Sequence, residues 1–147
     1  MQEHPGPAEG HGAERRTTEE RIGFIATHDQ LIELFGMEVE EAGEGFARVS
    51  ATARLGFLNA HRLAHGSFIF ALADVAFALA VNSLTDSVGV EYHLSLFRST
   101  KLGEKITATC RVIHRGKRLL VVEFEVSSSS GKLLAKGQAT AIPLQKP

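Results

Sequence analysis

Between Ser67 and Asn82 the chain reads SFIFALADVAFALAVN, and Asp74 is its only charged side chain. A surface helix would show a polar face at the 3.6-residue period, whereas here almost every direction is apolar. The stretch therefore predicts a helix wrapped by other structure. After Asp86 the period changes to two: Val88, Val90, Tyr92, Leu94 and Leu96 alternate with Gly89, Glu91, His93 and Ser95, which predicts a strand. Ile106 to His114, Leu119 to Ser127 and Leu133 to Ile142 read as three more strands, separated by the turn candidates Arg115-Gly116-Lys117 and Ser130-Gly131-Lys132. These four strands are expected to form an antiparallel meander. Phe46 to Leu55 alternates less regularly but is also strand-like, and His28 to Phe35 predicts a short amphipathic helix that stops at Gly36. One apolar helix among such strands predicts an α+β architecture, a curved antiparallel sheet around a central helix.

From Met1 to Arg21 there is no Val, Ile, Leu, Phe, Tyr or Trp, while prolines, glycines and charges accumulate. Residues 1–21 are therefore expected to be a disordered tail, in which His4 and His11 are incidental, and residues 22–147 the folded domain. At 147 residues the chain has room for one domain with a sizeable core. Sixteen basic against 17 acidic residues give a net charge of −1, which carries no electrostatic footprint for nucleic acid or an anionic membrane. The apolar helix is too short, and contains an acid, for a membrane span. Cys110 is the only cysteine, which excludes an intrachain disulfide and suits a cytoplasmic location.

Asp74 is the most informative residue. An acid inside a wrapped apolar helix costs several kcal/mol unless it is paired, hydrogen-bonded or neutral. It is either a structural acid satisfied by its neighbours or a carboxylate of raised pKa acting as base or nucleophile. Just upstream, Asn59-Ala60-His61-Arg62-Leu63-Ala64-His65-Gly66 feeds into the helix N-terminus, where free backbone N–H groups favour anions and developing oxyanions. Gly66 is thus either an oxyanion donor or only an entry-turn glycine. Eight residues separate it from Asp74. At ~1.5 Å per residue that is roughly 12 Å along the axis, too far for both to serve one carbonyl. If both are catalytic, the acid comes from a second, antiparallel copy of the helix, which predicts a two-fold dimer with shared sites.

The string Asn59-x5-His65-Gly66-Ser67-x2-Phe70-x-Leu72-Ala73-Asp74-x2-Phe77-Ala78-x3-Asn82 resembles the signature of the hotdog-fold acyl-CoA thioesterases of the phenylacetate-degradation (PaaI-like) family. Phe97-Arg98, Lys101-Leu102-Gly103-Glu104 and Arg115-Gly116-Lys117 extend the likeness over about Gly36 to Ile142. The resemblance implies hydrolysis of an acyl-CoA thioester in a homodimer or, by pairing of dimers, a homotetramer. It implies that the Gly66 amide polarises the thioester carbonyl, that the Asn59 amide binds the carbonyl or the water, that Asp74 of the partner chain is base or nucleophile, and that His65 orients the loop. It implies no cofactor or metal, and His61 and His65 lack a third ligand. Two positions depart from the family. Ser67 replaces a second glycine and is expected to cap the helix, and Gly89 stands where some relatives carry a water-positioning Ser or Thr.

Coenzyme A carries phosphates, so the mouth of such a site should be basic. Arg98, Lys101, Arg115, Lys117 and Arg118 are the candidate cations, with Gly116 leaving room for a phosphate at the backbone; singly, each reads equally well as an ordinary turn charge. Cys110, His93 and His114 have no recognisable catalytic partner. A non-catalytic acyl-CoA-binding hotdog domain is the alternative from another class. A hotdog dehydratase is disfavoured, because no Asp is followed by His at the Asp-x4-His spacing.

Overall fold

The computed structural model describes residues 15–144, and His4, His11 and the larger part of the expected tail lie outside them. The remainder of that stretch is not tail. Thr17 caps helix α1 (Thr18–His28) in a reciprocal capping box with Glu20, so the 21/22 boundary falls inside a helix. The apolar residues of α1 begin only at Ile22, and its first turn is held by caps and charge, which a search for apolar residues cannot see. Arg21 is fixed by an ion pair with Asp86. The expected helix from His28 to Phe35 is split. Asp29 ends α1 and, by accepting from Leu31 N at 3.0 Å, starts α2 (Gln30–Leu34). Gly36, at φ +61°, ends it as expected.

Strand β1 (Glu38–Gly43), whose Glu-rich sequence hides it, pairs with β2 (Phe46–Thr52). A single 3-10 turn (Leu55–Phe57) and a loop lead to α3 (Gly66–Asn82). Strands β3 (Ser87–Leu96), β4 (Lys105–Arg115), β5 (Leu120–Ser128) and β6 (Leu133–Pro143) follow. All pairings are antiparallel, in the order β1-β2-β4-β5-β6-β3.

Only β4, β5 and β6 form a meander, so the expected four-strand meander is corrected. The short turn after α3 sends β3 back along the helix to the far edge of the sheet, beside β6. Residues 97–104 then cross to the other side, where Ala53 and the Gly103-Glu104 backbone exchange hydrogen bonds of 2.8 and 2.9 Å and β4 pairs with β2.

The sheet curls around α3, whose buried side chains meet Val49, Ile106, Ala108, Leu120, Val122, Phe124 and Val126 in one core. Asn82 ties the helix end to β3 by accepting from Ser87 N at 2.9 Å. The Ser83 hydroxyl accepts from Gly45 N at 2.8 Å, which anchors the β1–β2 turn. Among the described residues no helix is long and apolar enough to cross a membrane.

Candidate active site

Residues Leu58 to Ala64 form a tight excursion closed by a bridge between its two ends. Asn59 builds it. Its Oδ1 accepts from His61 N at 2.9 Å and Leu63 N at 3.1 Å, while its backbone N–H donates to Leu63 O. The carboxamide is thus half committed: the oxygen holds the loop, and the Nδ2 group remains a donor. Arg62 adopts φ +62°, a left-handed conformation that the surrounding bonds enforce.

His65 is the N-cap residue of α3. Its N–H donates to Phe57 O, its carbonyl receives Phe68 N, and its side chain makes no cap. Ser67 does not cap the helix either, because it lies inside the first turn, two residues past the cap position. The Gly66 and Ser67 amides are therefore left at an uncapped helix start, where the macrodipole adds positive potential. A Cβ at Gly66 would come within 2.9 Å of Leu96 Cδ1, so close packing against β3 is a second reason for glycine here. Gly66 lines a small open pocket with Ala64, Ile69, Leu96, Phe97, Arg98 and Ser99.

Every residue of α3 is buried except the exposed Ser67 and a row of partly open positions, Gly66, Phe70, Asp74, Ala78 and Asn82. Spacing of four keeps these on one face. Asp74 is half-buried in the middle of that row, and it has no ion-pair partner among the described residues. Burial pushes its pKa above the usual carboxylate range, a hydrogen bond from Tyr92 pulls it down, and the Asp29 charge raises it again. A carboxyl of this kind can accept a proton near neutral pH more readily than an ordinary aspartate.

The partner Tyr92 escapes a period-two reading. The register shifts between Gly89 and Glu91, so Gly89 and Tyr92 both face α3 while Val88 and Val90 point outward, 46% and 54% exposed. The expected alternation placing Val88, Val90 and Tyr92 on one face is thereby corrected. A bulge is not written in hydrophobic periodicity, but the isolated glycine within an apolar strand was a usable signal.

The five candidate cations do not converge within one chain. Arg98 and Lys101 lie in the 97–104 connection at the Gly66 end of α3, in a surface groove shared with Ser128, Ser129, Ser130 and Lys132. Arg115, Gly116, Lys117 and Arg118 form the turn at the opposite end of β4, ten residues from its start at Lys105. At ~3.3 Å per residue that is roughly 33 Å away. Sequence proximity to turns could not reveal which end of the sheet each turn occupies.

A family model described as the thioesterase superfamily matches residues 61–135. The chain is 34% identical over 109 residues to the acyl-coenzyme A thioesterase PaaI of Escherichia coli K12, covering 74% of this chain and 78% of that one. The structure of the E. coli PaaI protein from the phenylacetic acid degradation operon superposes with a TM-score of 0.84 at 29% identity, covering 87% and 94% of the two chains. A protein from Streptococcus mutans bound to acetyl CoA superposes at 0.71 with 25% identity, covering 75% and 90%.

Proposed function

This chain belongs to the thioesterase superfamily and has the hotdog fold of a thioester hydrolase, and from that premise we propose that it cleaves small or aromatic acyl-CoA thioesters in a site shared between two copies. The observation that carries the shared site is the open row on α3. Asp74 and the free Gly66 amide lie on one uncovered face, too far apart to meet on one substrate within a chain. A second helix packed antiparallel along that row brings the Asp74 of each copy toward the Gly66 of the other.

The sheet edges support the same association. The β1 edge carries Glu38, Glu40 and Glu41 and a register shift, devices that discourage strand addition. The β3 edge is ten residues long, pairs among the described residues only with β6, and presents Val88 and Val90. Two copies joined antiparallel at β3 also bring the Arg115–Arg118 turn of one copy to the same end as Arg98, Lys101 and Lys132 of the other. This restores the basic mouth that a single chain lacks. Pairing of such dimers gives the tetramer. Cytoplasmic residence belongs to the proposal, and the lone, buried Cys110 suits reducing surroundings.

In the proposed reaction the Gly66 N–H and Asn59 Nδ2 polarise the thioester carbonyl, and Asp74 of the other copy accepts a proton from water. The water oxygen bonds to the carbonyl carbon, the C–S bond breaks, and the departing sulfur takes up the proton, leaving free acid and CoA. His65 and Asn59 hold the loop, Ser67 flanks the helix start, and no cofactor takes part beyond the CoA of the substrate.

The test is thiol release from acyl-CoAs running from acetyl through long-chain to phenylacetyl and benzoyl. Two inactive variants then test the sharing. Asp74→Asn removes the base, and Gly66→Pro removes the N–H at a first-turn position whose backbone suits proline, with its ring pushing aside the Leu96 Cδ1 end that a Cβ meets at 2.9 Å. Random mixing should restore about a quarter of wild-type activity, since half the dimers then hold one intact site of two. Well-folded mixed dimers with no recovered activity would sink the shared site. Binding of the esters without cleavage would favour a non-catalytic acyl-CoA-binding domain.

A further inference from the structure

The space beside Asp74 is filled by a side chain from three residues along the strand. A Cβ built on Gly89 would overlap the Tyr92 hydroxyl and stand 2.9 Å from Phe77 Cε1, so any residue but glycine displaces what is there. The Tyr92 ring is gripped edge-on by Phe70 and Phe77 of α3, at centroid distances of 5.2 and 5.3 Å. Both grips come from residues a turn to either side of Asp74 on the same helix, which places the ring over that stretch of α3, and the tyrosine and the Asp74 carboxyl each shift the other's pKa. The β3 register shift is what turns Tyr92 inward.

We propose that Tyr92 is a positioning residue for the reaction, its hydroxyl holding one Asp74 oxygen so that the other faces the water, and that position 89 is glycine in order to admit that hydroxyl. The proposal rests on Asp74 being the base. Burial and the neighbouring carboxylate drive the Tyr92 pKa upward, so the phenol stays protonated and donates.

The charge environment of Asp74 is otherwise sparse. Asp29, at the α1–α2 junction, is the one other charged group acting on it. The sheet residues buried against α3 are apolar, except that Cys110 on β4 is titratable, and burial pushes its thiol far above the physiological range. Tyr92 is therefore the main group holding the Asp74 pKa down.

The experiment compares kcat/KM against pH for wild type, Tyr92→Phe, Gly89→Ala and Asp74→Asn with phenylacetyl-CoA. It is accompanied by a carbon-13 NMR titration of the Asp74 carboxyl. Tyr92→Phe should lower kcat about tenfold with KM nearly unchanged, the size of one hydrogen bond to a charged group. It should also move the acid limb of the profile upward by about half a pH unit or more. Gly89→Ala should give the same displacement by pushing the hydroxyl away, and combining it with Tyr92→Phe should add little. An acid limb and carboxyl titration unmoved by Tyr92→Phe overturn the proposal. If Asp74→Asn keeps full activity, the base itself is wrong, and the NMR titration separately decides whether Tyr92 grips the carboxyl.

Discussion

The two sides of α3 obey different rules although they share one backbone. On the covered side, Ile69, Leu72, Val75, Ala76 and Leu79 are at most 2% exposed and touch the sheet's inner face. On the other, Gly66, Phe70, Asp74, Ala78 and Asn82 remain partly open. The covered side is where the helix gains the apolar burial that holds the fold. The open side keeps a carboxyl, a free amide end and small residues where packing alone would select larger apolar ones. Such local violations of packing logic are what a site looks like inside a stable element.

The strongest break in that comparison comes from one atom on the open side. Asp74→Asn should reduce kcat on the order of a thousandfold, the range of general-base catalysis, while leaving the fold intact. It should even raise Tm at neutral pH. Burial raises the folded-state pKa of Asp74, so its ionisation works against folding as pH climbs through that value. The gain should fade below the ordinary carboxylate range, where wild-type Asp74 is protonated both folded and unfolded. Equal melting curves for the two proteins across that whole pH range would refute this account of Asp74.

The covered side should respond in the opposite sense. Leu72 is fully buried. Leu72→Ala should cost about 2–5 kcal/mol in denaturant unfolding, by lost transfer energy and the cavity left behind, with turnover per folded molecule largely retained. A smaller effect on the fold, but a decisive one on assembly, is expected from Val90→Lys on the β3 edge. It should shift sedimentation toward the monomer and, if each site is completed by the other copy as proposed, lower activity most at low protein concentration. A dimer unaffected by Val90→Lys excludes β3 as its seam.

Much of this division was legible in the sequence, and its limits have physical causes. The helix and five of the six strands follow from apolar periodicity, Asp74 and Gly66 stand out as an acid in an apolar run and a glycine at its start, and Asn59 joins them only through the family resemblance. Three features did not. β1 is an edge strand whose glutamates face water, so it lacks the apolar signal of a core strand. The partner of β3 depends on a crossover, which leaves no local trace. Tyr92 faces α3 only because a bulge reverses the alternation after Gly89. Spacing along the helix nevertheless fixes the distance between Gly66 and Asp74, since helical rise is set by the backbone whatever surrounds it, and that distance is what the proposal of a second copy rests on.

The finest test concerns the basic mouth, because it distinguishes a site built by two chains from one built by a single chain. Arg115 is 56% exposed and only loosely paired with Glu44 at 3.9 Å, so its guanidinium is free to meet a phosphate. Arg115→Ala and Lys117→Ala should each raise KM for acyl-CoA about threefold to tenfold with kcat unchanged, and that penalty should shrink as salt screens the contact. The informative comparison is with a mixed dimer that holds one intact site, with Gly66 supplied by one chain and Asp74 by the other. If the turn serves the other copy's Gly66 end, the KM effect follows the turn mutation on the chain supplying Asp74. Were it to follow the chain supplying Gly66, the phosphate would have to be held roughly 33 Å from that amide along a single sheet, a span set by strand rise. That outcome would require the CoA to lie along the sheet rather than across two chains, and the two sides of α3 would no longer divide fold from function.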